Sequence, residues 1–337
     1  MTDRPPELDH DALRGRAAEA LRHWPAPAQQ PALLKYRENA IFRIALADGT
    51  PAVLRLHRAG YHDEAALRSE LDWMTALRLG GLPVPSPVPA GDGRALVRLA
   101  ANGQFGEQHV DVVSWVEGDQ LGQSGVPLAQ SPERQAEIFF QLGAAMARMH
   151  NLADAWQPPR HFQRPSWDVD GLLGERPVWG RFWDCAGVVP TRAPLLRDLR
   201  QRLLRAVENA EVKALDYGLI HADLVRENVL VTETGVSFID FDDAGYGFRL
   251  FDLATTLLKN RLEPHYATIE RALIAGYRSQ RELPEAAVSL LPLFLVLRSL
   301  TYIGWNSERP EMPGAAERLA RTVEESLELA GRLDRGP

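Results

Sequence analysis

The spacing of hydrophobic residues changes character along the chain. In the first third, short apolar runs rich in β-branched residues alternate with stretches of helical periodicity. Asp48-Gly49 separates two of these runs and is typical of a hairpin turn. The pattern predicts helices over 9–24 and 64–79 and strands over 36–46, 52–56, 95–99 and 109–116. We therefore expect a small antiparallel sheet with one main helix in this part.

From about Glu133 onward, helical periodicity dominates. The pattern predicts strands over 217–220, 229–231 and 236–239 and helices over 250–259, 266–277, 286–302 and 315–333. The sequence thus predicts an α+β fold of two lobes. Residues 1–117 form the strand-rich lobe and residues 118–337 the larger, mostly helical lobe, with a connection near 114–118.

Composition and charge narrow the class of protein. The 337 residues carry 38 basic and 45 acidic side chains, a net charge of −7, with no basic stripe that would bind nucleic acid. Cys185 is the only cysteine, which excludes intrachain disulfides and cysteine-based metal sites. The longest apolar stretch, 290–297, is well short of the roughly 20 residues that span a bilayer. We expect a cytoplasmic protein with no membrane partner, and its oligomeric state stays open.

Several nucleotide and hydrolase motifs are absent. The three lysines are Lys35, Lys213 and Lys259, and none follows a glycine, which excludes a Walker A loop. The chain also contains no GxGxxG turn, no HExxH helix and no GxSxG elbow. The candidate chemistry therefore rests on acidic residues.

A polar loop between the short strands of the second lobe carries the strongest chemical signal. His221 and Asp223 are followed by Asn228 and, after two short strands, by Asp240. Phosphoryl transfer needs a carboxylate that orients the attacking hydroxyl, an asparagine and an aspartate that hold magnesium, and a cation on the phosphates. Single acidic loop residues are often caps or turns, but this combination favours a kinase.

The segment HADLVRENVLV, together with FIDFDDAGYGFRLFDLATTLL, resembles the catalytic core of the aminoglycoside phosphotransferase and choline kinase superfamily. The HADL and EN residues are most similar to the type II homoserine kinase branch. Residues 38–44, ENAIFRI, resemble the nucleotide loop of the family, so the resemblance covers residues 35–305. It implies a protein-kinase-like fold that uses ATP and magnesium.

The resemblance also implies a role for each residue of the catalytic loop. Asp223 would be the catalytic base, and His221 would brace the loop. Asn228 and Asp240 would bind magnesium, with Asp242 as a further candidate ligand.

Other roles follow from the same resemblance. Asp252 would brace the catalytic loop by accepting its backbone N–H groups. The carbonyl of Ser114 and the amide of Val116 would face adenine at the hinge, and Asn39 belongs to the nucleotide loop.

One position departs from the family's pattern. Kinases place a lysine on the third strand and pair it with a glutamate on the following helix, whereas this chain has Arg55 and Glu70. Arginine keeps the charge but binds phosphate through a planar fork. We expect Arg55 to contact the nucleotide phosphates, and we expect lysine at this position to keep most of the activity. The alternatives are a surface arginine or an inactive kinase.

The sequence gives weaker indications of the residues that bind the substrate that accepts the phosphoryl group. Arg298, Tyr302 and Trp305 recur at spacings of four and three, and three tryptophans lie within 167–183. Such residues are more often core than pocket wall. If they line a pocket, Arg298 could hold a substrate carboxylate and the rings an ammonium group.

These observations predict an ATP- and magnesium-dependent kinase that phosphorylates a hydroxyl group of a small metabolite, an amino acid or amino alcohol. A protein Ser/Thr kinase similar to bacterial stress-response kinases and a nucleotide-binding pseudokinase stay open as alternatives. Only eleven residues separate Asp240 from Asp252, which leaves little room for a peptide-binding activation segment. The acceptor's identity and the choice between ATP and GTP also stay open.

Overall fold

A computed structural model of the chain describes residues 10–25, 30–36, 39–208, 212, 214–312 and 314–333. Asp9 and Glu38, which begin the predicted first helix and nucleotide loop, lie outside the described residues. The chain divides into two compact units. The first consists of Met1–Glu117 and Trp156–Arg164, and the second of Gly118–Ala155 and Pro165–Pro337.

The first unit is built on a five-stranded antiparallel sheet. Its strands are β1 (Ala32–Tyr36), β2 (Ala40–Ala45), β3 (Pro51–Leu56), β4 (Leu96–Leu99) and β5 (Gln108–Ser114), in the order β1-β2-β3-β5-β4. Its helices are α1 (His10–Leu21) and α2 (Glu64–Leu79). The single strand predicted over 36–46 is wrong at its start, because β1 is a separate edge strand paired with β2. Most of β1 is exposed, so it lacks the alternation that marks a half-buried strand.

Side chains of β3 alternate between two environments. Ala52, Leu54 and Leu56 are buried in the core that the sheet forms with α1. Arg55 lies between them and therefore projects from the opposite face of the sheet. There its guanidinium reaches Glu70 of α2.

Helix α2 is held at its start and along its side. The Asp63 carboxylate caps the helix by accepting the N–H of Ala66 at 2.8 Å. The segment Trp156–Arg164 also binds α2, since the N–H of Gln163 donates to Ser69 Oγ at 2.8 Å. This explains why the segment belongs to the first unit, although the sequence pattern leaves it in the helical lobe.

The second unit is mostly helical. Its helices are α3 (Pro132–Ala155), α4 (Val169–Leu173), α5 (Ala193–Val207), α6 (Arg249–Asn260), α7 (Tyr266–Arg278), α8 (Glu285–Val288), α9 (Leu291–Ser307) and α10 (Ala315–Leu333). One sheet has the order β10-β9-β6, with β6 (Asp119–Gln120), β9 (Val229–Val231) and β10 (Val236–Phe238). The other has the order β7-β11-β8, with β7 (Ser166–Trp167), β8 (Tyr217–Ile220) and β11 (Gly245–Phe248). The two-residue strands β6 and β7 are too short to show a period, which is why the sequence did not predict them.

The most apolar segment of the described residues runs through α8 and α9. Glu285–Ser307 is long and apolar enough to cross a membrane, with a mean hydropathy of 1.8 over its most apolar 18 residues. However, 56% of its most apolar window is buried inside the protein, and α9 packs against α6 and α10. Arg298, at the middle of α9, is fully buried. The helix therefore has the packing of a core helix.

Helices α3 and α7 approach each other closely through two glycines. A Cβ atom on Gly143 of α3 would overlap the carbonyl oxygen of Leu273, and one on Gly276 of α7 would overlap that of Phe140. Backbone lies against backbone here, so a side chain cannot be accommodated by a rotamer change. This packing positions α3, which carries His150.

We expect Gly143→Ala and Gly276→Ala each to lower the free energy of unfolding by about 1–3 kcal/mol, because they overpack this contact. Gly331→Ala in α10 is the control, since its Cβ would meet nothing within 4 Å. That control should stabilise by up to about 1 kcal/mol through helix propensity. Urea unfolding measures all three, and a stabilising effect at position 143 or 276 would contradict the close approach.

Candidate active site

The predicted catalytic loop lies between β8 and β9. Strand β8 ends at Ile220, the loop carries Asp223, and a short 3₁₀ turn, Arg226–Asn228, leads into β9. After the hairpin formed by β9 and β10, the N–H of Ile239 donates to the Asn228 carbonyl at 3.0 Å. This bond joins the segment that carries Asp240 to the catalytic loop.

A buried aspartate on α6 holds the start of the loop. Asp252 accepts the N–H of His221 at 2.9 Å on Oδ2 and the N–H of Ala222 at 2.7 Å on Oδ1. Ala222 has a φ of 65°, a left-handed conformation that costs a residue with a Cβ roughly 1–2 kcal/mol. The contacts of Asp252 therefore hold the backbone in a conformation that it would not adopt alone.

Two residues from other helices complete the surroundings of Asp252. His150 of α3 lies with Nε2 at 3.0 Å from Oδ2 of Asp252 and with Nδ1 at 2.8 Å from the Tyr277 hydroxyl. Since the carboxylate can only accept, Nε2 carries the proton, and Nδ1 accepts from Tyr277. Burial, followed by the charge of Arg249, lowers the pKa of His150 to about 4. The ring is therefore neutral at neutral pH.

His221 joins the two segments that carry the predicted catalytic and metal residues. Its Nε2–H donates to the carbonyl of Ile239 at 3.1 Å, and its Nδ1 accepts the N–H of Asp223 at 3.3 Å. Its ring also contacts that of Phe241, with the centroids 4.5 Å apart. Both ring nitrogens are engaged within the loop, as the bracing role implies.

Both oxygens of the Asp223 carboxylate are hydrogen-bonded. Oδ1 lies 2.5 Å from Nη2 of Arg298, and Oδ2 accepts from Nδ2 of Asn228 at 3.0 Å. Burial raises the pKa of Asp223, and the charge of Asp240 adds to this, while Arg298 opposes it. A raised pKa brings the carboxylate closer to the range in which a general base is effective at neutral pH.

Asn228, Asp240 and Asp242 are the predicted magnesium ligands. The amide nitrogen of Asn228 donates to Asp223, which leaves the amide oxygen as the group that can bind a cation. Asp240 is exposed at a φ of 67°, and Asp242 is buried. Among the described residues, no three His, Cys, Asp or Glu are grouped as a metal site. Since magnesium is usually bound by one or two carboxylates and substrate phosphates, these residues fit an ion shared with a nucleotide.

Arg298 lies in an aromatic cluster beside Asp223. Its guanidinium carbon is 4.5 Å from the ring centroids of both Trp179 and Tyr302. Its Nη2 also donates to the Tyr302 hydroxyl at 2.8 Å. The side chain is fully buried, and Nε and Nη1 have no hydrogen-bond partner among the described residues. Buried donors are rarely left unpaired, so this favours a ligand or water at these atoms.

The two other residues predicted to bind the acceptor substrate differ in their distance from Arg298. Tyr302 is in direct contact with Arg298, whereas the Trp305 ring lies 6.5 Å from that of Trp179 and stacks on Arg309 at 4.4 Å. Trp179 also donates from Nε1 to Asp243 at 3.0 Å, and burial raises the pKa of Asp243 to about 7. The structure thus brings Arg298, Tyr302 and Trp179 together and leaves Trp305 one ring further away.

Lys259 is a residue that the sequence analysis did not include in the site. Its Nζ lies 3.7 Å from the centroid of the Tyr302 ring. Burial, followed by the charge of Arg298, lowers its pKa to about 8. Lys259 follows Asp252 by seven residues on α6, which places both on one helix face. That spacing is the signal that could have found it.

The predicted phosphate-binding pair lies in the first unit and has two further members. Arg55 donates from Nη1 to Glu70 at 2.6 Å and, through Nε and Nη2, to both oxygens of Asp111 at 2.7 and 2.8 Å. His57 lies with Nε2 at 2.8 Å from Asp111 Oδ2. Arg55 is only 7% exposed, so the alternative of a surface arginine is wrong. Polar residues at 55 and 111 within apolar strands, and at 57 directly after β3, were the available signal.

The residues predicted to contact adenine lie at the end of β5. Ser114 donates its N–H to the Ser86 carbonyl at 2.8 Å. Since a strand residue points its N–H and C=O to the same edge, the Ser114 carbonyl faces the edge away from β3. Val116 follows two residues later, beyond the strand. Asn39 accepts the N–H of Arg58 on its side-chain oxygen at 3.1 Å. The adenine contacts themselves stay predictions.

The parts found in the two units define the class of protein. A kinase-like phosphotransferase has a loop with an aspartate and an asparagine, a following aspartate, and a cation on the sheet that pairs with a glutamate of the next helix. This chain has all of these, with Arg55 on the five-stranded sheet and Glu70 on α2. The model of the phosphotransferase enzyme family, APH, matches residues 32–286. The chain belongs to this family, and it is a phosphotransferase with an alcohol group as acceptor, as predicted.

Relatives and solved structures agree with this assignment. The structure of a microcompartment-associated aminopropanol kinase is 32% identical, with a TM-score of 0.80 over 95% of this chain and 97% of that one. The homoserine kinase of Acidiphilium cryptum is 32% identical over 260 residues, which are 76% of this chain and 73% of that protein. An amicoumacin kinase in complex with AMP-PNP, Ca²⁺ and Ami is 20% identical and has a TM-score of 0.75, over 95% of this chain and 96% of that one. The predicted kinase-like α+β fold is confirmed.

We expect Asp223→Asn to lower turnover by roughly a hundredfold or more, because an amide cannot accept the proton of the attacking hydroxyl. Nucleotide affinity should stay close to that of the parent protein. ADP release with excess acceptor measures turnover, and calorimetric titration measures binding of Mg–ADP. Asp198→Asn, on an exposed side chain of α5, is the control. An Asp223→Asn variant as active as the control would contradict the assignment of the base.

The neutral state of His150 predicts a pH dependence of stability. Its pKa is lowered from 6.5 to about 4 on folding, so the unfolded chain binds the proton first. The contribution of His150 to the free energy of unfolding is therefore fully present above pH 6.5. It decreases as the pH falls toward 4, by up to roughly 3 kcal/mol. His150→Gln should be less stable at pH 7 and should show a flatter dependence. Urea unfolding between pH 4.5 and 7.5 measures both, with the exposed His161→Gln as control. Equal slopes in His150→Gln and parent would contradict this.

Proposed function

We propose that this protein transfers the γ-phosphoryl group of ATP, with magnesium, to the hydroxyl of a small hydroxylated amine, either an amino alcohol or an amino acid. The observation that carries this proposal is the position of Asp223. Its carboxylate lies beside Arg298, a buried cation in an aromatic cluster whose Nε and Nη1 have no hydrogen-bond partner in the part of the chain that the structure describes. The relatives that are named aminopropanol kinase and homoserine kinase support the same class of acceptor.

In this reaction Asp223 orients the acceptor hydroxyl and takes its proton. Asn228 and Arg298 hold the two oxygens of the carboxylate, so the base is preorganised before the acceptor binds. The raised pKa of Asp223, which burial causes, suits the acceptance of a proton.

Each unit contains residues that we propose as nucleotide ligands. Asn228, Asp240 and Asp242 would hold magnesium, which supplies a positive charge that neutralises the phosphates. Arg55, paired with Glu70, would bind the phosphates. The Ser114 carbonyl and the Val116 amide would bind adenine, and Asn39 would support the nucleotide loop. The amicoumacin kinase structure with bound AMP-PNP and Ca²⁺ supports a nucleotide and a divalent cation as ligands of this fold.

The charges near Asp223 suit an acceptor that carries an amine. Trp179 and Asp243 are joined by a hydrogen bond, and an aromatic ring beside a carboxyl group is a combination that would suit an ammonium group. Nε and Nη1 of Arg298 could bind a carboxylate, which a hydroxylated amino acid has and an amino alcohol lacks. A comparison of the two compound types therefore tests the role of Arg298 directly.

The segment after Asp240 supports a small acceptor rather than a protein. Of the eleven residues between Asp240 and Asp252, Gly245–Phe248 form β11 and pair with β8. Their backbone groups are thus used within the sheet, which leaves a short segment for binding a peptide.

The test is a panel of acceptors in a coupled assay of ADP release. We expect saturable ATP consumption with an aminopropanol or with homoserine, loss of activity with EDTA, and no transfer to a generic protein.

Arg298→Lys should lower kcat, since Arg298 holds Asp223, and should raise the KM of an amino acid more than that of an amino alcohol. Arg192→Lys is the control, because Arg192 lies outside this cluster and pairs with Glu324 at 2.6 Å, and it should leave kcat and both KM values unchanged. Labelling of a protein substrate, with no response to the panel, would favour a protein kinase. Nucleotide binding without any transfer would favour a pseudokinase.

A further inference from the structure

Arg55 binds two carboxylates, although the pairing known for kinases needs only one. Glu70 accepts a hydrogen bond from Nη1, and the two oxygens of Asp111 accept hydrogen bonds from Nε and Nη2. Arg55 and Asp111 lie directly opposite each other in the register of β3 and β5. All three side chains are buried, with Glu70 at 1% and Asp111 at 0% exposure. The guanidinium is therefore held on two sides.

Two arginines and two carboxylates lie close together in this cluster, beside the ring of His57. Arg55 and Arg164 supply two positive charges near the carboxylates of Glu70 and Asp111. Arg55 therefore cannot attract phosphate through a large excess of positive charge in this cluster. Directed hydrogen bonds must supply the affinity, and these require a fixed orientation of the guanidinium.

The hydrogen bonds of Arg55 leave specific donors available. A guanidinium has five N–H groups, and Glu70 and Asp111 use three of them. One N–H on Nη1 and one on Nη2 have no partner among the described residues, and we call the end of the guanidinium formed by these two nitrogens its outer end. His57 supports this arrangement, because its Nε2 lies 2.8 Å from the same Oδ2 of Asp111 that Arg55 binds. The side-on contact with Asp111 thus determines where the outer end points.

We propose that Asp111 is a positioning residue for the nucleotide phosphates, and that its bidentate contact is what allows arginine to act where kinases use lysine. The inference rests on the proposed phosphate-binding role of Arg55. Asp111 does not touch the nucleotide itself. It holds the fork so that the two remaining N–H groups face the phosphates.

This changes the expectation for lysine at position 55. An ammonium group is a point charge and cannot bind Glu70 and both oxygens of Asp111 in the same geometry. Arg55→Lys would leave Asp111 buried with His57 as its remaining partner, and a buried charge that loses its partner is strongly unfavourable. Removal of the Asp111 charge in the same protein should relieve this problem. The double variant Arg55→Lys/Asp111→Asn should then resemble a lysine–glutamate pair.

The experiment compares the affinity for Mg–ADP with that for adenosine, which lacks phosphates, by calorimetric titration of the full chain. Asp111→Asn and Arg55→Lys should each weaken Mg–ADP binding by roughly tenfold or more and leave adenosine binding near that of the parent. The double variant should bind Mg–ADP more tightly than Arg55→Lys alone. Arg16→Lys is the matched control, because Arg16 is a buried arginine of the same unit that binds Glu19 at 2.8 Å. It should leave the ratio of the two affinities unchanged.

Two results would overturn the inference: equal losses of Mg–ADP and adenosine affinity in Asp111→Asn, or a double variant no better than Arg55→Lys. If Asp111→Asn does not fold, the comparison of the double variant with Arg55→Lys decides. Unchanged Mg–ADP affinity in Arg55→Ala would remove the phosphate role of Arg55 and this inference with it. The acceptor panel measures turnover and not binding, so its failure is separate from these outcomes.

Discussion

The hydrogen bonds between the Asp252 carboxylate and the backbone of residues 221–222 are the interaction on which the catalytic loop depends. A buried carboxylate is costly unless donors surround it, and the left-handed backbone at Ala222 is costly unless something holds it. The backbone N–H groups therefore stabilise the buried carboxylate, and the carboxylate holds the backbone in its left-handed conformation. His150 and Tyr277 extend this interaction to α3 and α7. The position of the loop thus depends on the packing of three helices, and the close contact at Gly143 and Gly276 contributes to it.

A similar principle applies in the first unit. Asp111 and Glu70 are buried carboxylates that constrain Arg55, as Asp252 constrains the loop. In both places an aspartate holds a neighbouring group through both of its oxygens, the guanidinium of Arg55 in one case and the backbone of residues 221–222 in the other. Buried charges with complete hydrogen bonding are suited to this task, because any displacement leaves a charge without a partner in a medium of low polarity.

Arg298 has a different relation to its surroundings. Aromatic rings of Trp179 and Tyr302 enclose it, yet only Nη2 has polar partners among the described residues. Its charge opposes the effect of burial on Asp223, and together with burial it lowers the pKa of Lys259. A change at Arg298 would therefore affect Asp223 and Lys259 together and, in the proposed function, the binding of the acceptor as well. This coupling is a reason to separate kcat from KM when variants of this cluster are compared.

Hydrophobic periodicity and one polar loop determined the α+β class, most of the long helices and strands, and the residues Asp223, Asn228 and Asp240. These features are local, since alternation reports which face is buried and the spacing of the loop reports which chemistry is possible. The tertiary structure alone decided the partners. Asp111 meets Arg55 because β3 and β5 pair in one register, and His150 meets Asp252 because α3 packs close to α6 and α7. Such contacts join residues that are far apart in sequence. Burial patterns show that a side chain needs a partner, but only strand register and helix packing select which one.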